Sequence, residues 1–203
     1  MLDKDGAQLV IERGDELKVA IERATISALK QLSSRYPMLT ETKLLRPVAK
    51  ATVSARTKPF NTAAFYQTGA DLYVYGTFAD RLNLHIRQTV DSAPERPYVA
   101  SLLKANAYDK DICKELPENH LSTLEDIAGL IEVQPGGKPG LLLSNGLANI
   151  FYVEGKNGEV FTVDVYWHWH SDRRQWVVRD WELDERGSWH ADHQVLCPGN
   201  ATL

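Results

Sequence analysis

Cysteine is nearly absent. The 203 residues contain two, Cys113 and Cys197, far apart and in no metal-like spacing, so neither a disulfide framework nor a cysteine-based zinc module is implied, and a reduced compartment fits. Long apolar runs are missing as well. The best stretches, Gly140 to Leu143 and Ala148 to Val153, fall far short of the ~20 residues a bilayer-spanning helix needs. The first residues include Asp3, Lys4, Asp5, Glu12 and Arg13, so no apolar core follows a basic start and no signal peptide is expected. The expected setting is cytoplasmic, with no membrane partner.

Catalytic signatures are equally scarce. No Gly-x-Ser-x-Gly occurs, and neither cysteine has a histidine beside it in sequence, so a nucleophilic hydrolase has no support. Gly136-Gly137-Lys138-Pro139 lacks the spacing of a phosphate loop, and Pro139 removes a backbone donor where one is needed. The segment reads as a linker.

What is present is an ordinary globular composition, 43% hydrophobic and 25% charged, enough to bury a core that offsets the ordering entropy. The net charge of -4 conceals an asymmetry. Between Arg23 and Lys58 stand eight basic residues and one acid, Glu41, leaving 15 basic and 26 acidic residues elsewhere. Such a segment can attract nucleic acid or another anion. It lacks interleaved aromatics and any helix-turn-helix signature, so internal complementarity with the acidic remainder is the preferred reading and nucleic acid is not the expected partner.

Apolar residues recur at Leu17, Ala20, Ile21, Ala24, Ala28 and Leu32, which predicts a long N-terminal helix over 15–35 ended by Pro37. Alternation over Pro47 to Lys58 and over Asp71 to Phe78 predicts strands of a small mixed or antiparallel sheet, the first with Lys50, Arg56 and Lys58 on one face. Two short helices are expected, one from Pro97 to about Ala107 and one behind the Ser122/Glu125 capping box. The stretch 134–140 then breaks regular structure. It divides an N-terminal part, 1–134, from a C-terminal part, 141–197, the two being expected to pack as one compact domain. The second part carries turn signals at Asn145-Gly146, Lys156-Asn157-Gly158, Ser171 to Arg174 and Glu185-Arg186-Gly187, which predict a five-stranded antiparallel meander. The expected class is α+β.

All five tryptophans lie in that meander. Along Phe161 to His170 the period of two sets Phe161, Val163, Val165, Trp167 and Trp169 against Asp164, Tyr166, His168 and His170. A three-residue loop at Asp172-Arg173-Arg174 places Trp169 opposite Val177 and puts Trp176, Val178, Asp180 and Glu182 on the wet face, followed by His190, Asp192 and Gln194. A slip by one residue would reassign each neighbour.

Two functions follow from that face and a third from the basic segment. The leading one is a non-enzymatic ligand- or protein-binding module, using Tyr166, His168, His170 and Trp176 as an aromatic platform and needing no cofactor. An alternative is a metal-assisted hydrolase in which His168 and His170, with His190 as third ligand, hold zinc or another divalent metal. The same face holds Asp180, Glu182 and Asp192, a candidate carboxylate pair for acid/base chemistry. The third is the anion or nucleic-acid binder through Arg23 to Lys58.

Overall fold

The computed structural model describes residues 43–76, 78, 89–155, 158–170 and 172–199, and before residue 43 only Ile21, Ala24, Thr25 and Ser27. The chain divides into a unit of residues 1–43 and a unit of residues 44–203. In the first, those four residues are helical and exposed, and the Thr25 hydroxyl donates to the Ile21 carbonyl at 2.8 Å. The remainder of the helix expected over 15–35 lies outside the described residues.

The second unit is built on one seven-stranded mixed sheet. Its elements in chain order are β1 (Leu45–Val53), β2 (Phe60–Asn61), α1 (Thr62–Phe65), β3 (Leu72–Val74), β4 (Thr89–Val90), β5 (Arg96–Leu103), α2 (Asp109–Glu115), α3 (Leu124–Glu132), a 3-10 turn (Pro135–Gly137), β6 (Asn149–Glu154), β7 (Val160–His170), β8 (Arg173–Glu182) and β9 (Gln194–Pro198). The sheet order is β1-β5-β9-β6-β7-β8-β3, while β2 and β4 pair separately.

This architecture overturns the expected small sheet followed by a five-stranded antiparallel meander. Only β6, β7 and β8 form a meander. The last strand does not return beside β8. It runs between β5 and β6, antiparallel to the first and parallel to the second, so strands from both sides of the 134–140 linker share one sheet. The short helix expected from Pro97 is strand β5 instead. Tyr98, Val99, Ala100 and Leu103 are buried, and a central strand covered on both faces reads as a continuous apolar run with no period of two to betray it.

Helix α3 is where the sequence places it. Its cap is Thr123, one residue later than the expected Ser122, with its side chain accepting from the Asp126 amide. Leu124, Ile127, Ala128 and Ile131 then form one apolar stripe. That stripe covers one face of the sheet, here called the α3 face, with Tyr98, Phe151, Val163, Val165, Trp176 and Val178 beneath it. On the other, the α2 face, Ile112 and Trp189 cover Leu103, Ala148, Ile150, Tyr152 and Val195. Among the described residues, no helix is long and apolar enough to cross a membrane.

The linker is packed rather than free. The Gln134 side chain bonds the Leu142 amide and the Lys138 and Leu142 carbonyls. Gly137 has φ +68°, and a Cβ there would meet the Trp167 ring at 2.5 Å; Gly136, at φ +65°, has nothing within 4 Å. Gly136→Ala is therefore expected to cost about 1 kcal/mol from backbone strain alone. Gly137→Ala should add the clash and cost roughly 2–4 kcal/mol, a difference read by paired denaturant unfolding curves.

Candidate functional site

The β7–β8 register decides what the aromatic strand displays. His170 pairs with Arg173, Trp167 with Trp176 and Val165 with Val178, so the loop between the strands is two residues long and β8 meets β7 three positions earlier than the sequence reading has it. An odd shift turns β8 over. Trp176 consequently leaves the wet face. It is buried on the α3 face, edge-on to Trp167 at 5.3 Å, and its indole donates to the Gln134 carbonyl at 3.0 Å. Asp180 lies buried on that face too, level with Val163, whereas Asp192 sits exposed in a turn at φ +69°. The two carboxylates do not face each other.

Tyr166, His168 and His170 do share the α2 face, and the register sets Arg179, Val177, Gln175 and Arg173 beside them. The edge strand β3 adds Tyr73, and Tyr75 follows it. Tyr73 stacks on His170 with centroids 3.5 Å apart, reaching across β8 and covering Gln175, which is buried. Tyr73 also meets Tyr75 edge-on at 5.2 Å, and Tyr166 contacts His168 at 5.8 Å. His168 and Tyr75 are exposed, while Tyr73, Tyr166 and His170 are half-buried.

The centre of this face is an ion pair. Asp164 is fully buried; Arg179 donates to its Oδ2 at 2.6 Å and the Trp181 indole to its Oδ1 at 2.8 Å. The Arg179 guanidinium lies over Tyr166 at 4.4 Å, Trp181 at 5.4 Å and Tyr75 at 5.6 Å. Burial opposes its charge, yet the bond and charge of Asp164 prevail and hold its pKa above the ordinary value. Burial likewise raises the Tyr166 phenol, against the pull of Arg179.

Towards the middle of the sheet the segment after β8 crosses the same face. Trp189 is buried there, donating to Asp109 Oδ1 at 2.7 Å, and Arg186 stacks on its ring at 4.0 Å. Burial lowers the Arg186 pKa, offset in part by Asp164 and reinforced by Arg179. His193 packs beside Trp189 at 5.8 Å and His190 at 6.2 Å. Its pKa is depressed by burial, then by Arg186 and His190.

His168, His170 and His190 thus contact three different rings: Tyr166, Tyr73 and His193. Among the described residues, no three His, Cys, Asp or Glu side chains gather in a metal-holding group. The basic segment is described only in part. Arg46 and Lys50 are exposed on β1, which ends at Val53; Arg56 pairs with Glu132 at 2.7 Å and lies over Phe60. Lys50, Arg56 and Lys58 therefore do not share a strand, and Arg23, Lys30 and Arg35 lie outside the described residues.

The sequence reading missed Arg179, Arg186, His193, Tyr73 and Tyr75 as members of this surface. The signal for Arg179, Tyr73 and Tyr75 is the register, which pairs Asp164 with Arg179 and brings β3 beside β8, and that for Arg186 and His193 is the placement of β9 between β5 and β6.

Two outcomes are expected. Asp164→Ala strips Arg179 and Trp181 of their acceptor and should cost roughly 3–5 kcal/mol; the double change with Arg179→Met should cost less than that single one in chemical denaturation. Because the His193 pKa is depressed in the fold, the unfolded chain takes up a proton below about pH 6.5 that the folded chain resists. The associated stability is full above that pH and is lost as pH falls through the folded value. His193→Gln should flatten the fall of Tm between about pH 7 and pH 5. No known protein family, curated protein or solved structure matches the chain.

Proposed function

We propose that this protein is a non-enzymatic binding module whose ligand is a planar, unsaturated small molecule resting on Tyr73, Tyr75, Tyr166, His168 and His170. The observation that carries this is the adjacency of two ring groups, Tyr73–Tyr75–His170 and Tyr166–His168, bridged by the Arg179 guanidinium and left partly exposed, while the β5-β9-β6 half of the same face is buried under α2 and Trp189. Rings preset against one another offer stacking area at little entropic cost.

The chemistry around them favours binding over catalysis. Burial pushes both thiols, Cys113 and Cys197, up to about 11, which keeps them protonated at neutral pH. Three buried carboxylates are engaged in holding the fold. Asp164 has two donors; Asp109 accepts from Tyr152, Trp189 and the Asp184 amide; Asp126 accepts from Arg96 and Tyr98. A metal-assisted reaction would need a third ligand beside His168 and His170, and their ring neighbours are tyrosines.

The test uses neutral heteroaromatic fragments, such as indole and purine, titrated into isotopically labelled protein. Amide shifts should concentrate on residues 73, 75, 166, 168 and 170, and Tyr166→Ala or Tyr73→Ala should weaken binding by roughly tenfold through loss of stacking. Shifts scattered over the molecule, or unaltered affinity in both variants, would reject this reading.

A further inference from the structure

Beside the aromatic half-sheet stands a group of nitrogens that the fold leaves unanswered. The register levels Val195, Ile150, Asp164 and Arg179 in one row across four strands. One step along each strand pair, Gln194 pairs with Asn149 and Asn149 with Val165. His193, Ala148 and Tyr166 accordingly form the next row on the α2 face. With strands spaced about 4.8 Å, the His193 and Tyr166 backbones stand roughly 10 Å apart, with the buried Ala148 between them. Arg186 and Trp189 reach over this row from the segment that crosses the face.

Arg186 has no acid within ion-pair distance among the described residues, and three nearby carboxylates hold other partners. Asp164 holds Arg179 and Trp181, Asp109 holds Tyr152, Trp189 and the Asp184 amide, and Asp184 lies 3.9 Å from Lys110. A guanidinium drawn onto an indole has shed part of its water with no anion in exchange. Two further donors or acceptors nearby are buried and unmatched: His193 Nδ1, on a side chain 8% exposed, and Arg179 Nε. Arg186 and His193 both feel the charges of Asp164 and Arg179, and His190 acts on His193 as well. An oxyanion supplies what they lack, since its lone pairs can take a guanidinium edge and an imidazole N–H together.

We propose that Arg186, His193 and the free edge of Arg179 form a site for a small oxyanion, a carboxylate or phosphate group, and that this group is the acidic end of the planar ligand carried by the neighbouring rings. The second clause rests on the binding reading above; the first stands on the arginines and His193.

The experiment titrates inorganic phosphate and benzoate separately into the full chain at constant ionic strength, followed by calorimetry. At least one should bind saturably, phosphate preference identifying a phosphoryl ligand and benzoate preference a carboxylate. Arg186→Gln should weaken that binding at least roughly tenfold, while Arg174→Gln, which removes an exposed arginine beside Trp169, should leave it unchanged. Absence of saturable binding by either anion, or equal affinity in Arg186→Gln, overturns the site. So does an equal loss in Arg174→Gln. Should Arg186→Gln fail to fold, the wild-type side-chain nitrogen signals of Arg186 and His193 decide: they shift on adding the anion, or the proposal fails. Neutral fragments that bind where anions do not would leave the aromatic reading standing and reject this one. Anion binding without fragment binding would do the reverse.

Discussion

The Asp164–Arg179 pair is the constraint on which the exposed half of the sheet depends. A carboxylate with no exposed surface is tolerable only with strong partners, and Asp164 finds them solely in the register that sets Arg179 opposite it on β8 and Trp181 two pairs away on the same face. Shifting β8 by one position would send Arg179 and Trp181 into the α3 core and bring Trp176 out to water. The same pairing fixes Tyr166 under the guanidinium and aligns β8 for β3, which brings Tyr73 against His170. One ion pair thus specifies the register, the core membership of Trp176 and the composition of the face offered to solvent.

The middle of the sheet follows a different rule. Placing β9 between β5 and β6 joins segments nearly a hundred residues apart and buries Val195 and Leu196 on opposite faces. The Asn149 side chain ties this junction. It donates to the Leu143 and Val165 carbonyls and accepts from the Gln194 amide group. Polar side chains at such a seam satisfy backbone groups that a parallel pair of two residues leaves open. The 134–140 stretch, so rich in Pro and Gly, is consequently a packed connection, with Gln134 and Gly137 fitted against Leu142 and Trp167.

The covering layer of the α2 face stops short of the β7–β8 half. Over β5, β9 and β6 the α2 face is closed by apolar packing and by the carboxylate of Asp109, which three neutral donors hold. Past Asp164 lie partly exposed rings and the Arg179 guanidinium. Arg186 lies at the boundary, on the indole that closes one half and beside the ion pair that opens the other. The ligand we propose, with a flat body and an acidic end, would span that boundary.

Local pattern was enough to determine several things. The apolar stripe of Leu124 to Ile131 specifies α3, because its period is that of the helix and its cap is adjacent. The alternation from Phe161 to His170 separates Tyr166, His168 and His170 from the tryptophans, because successive strand residues point to opposite faces whatever the partner. Neither depends on distant residues. Tertiary structure alone decided which strand lies beside which, and hence everything that needs a partner. Strand β5 reads like a helix because both its faces are buried. The fate of Trp176 depends on an odd or even shift that turn residues do not specify, and Arg186 and His193 join the face only because β9 crosses to the middle of the sheet. Those outcomes rest on long-range pairing and on the cost of burying Asp164, quantities that no window of neighbouring residues contains.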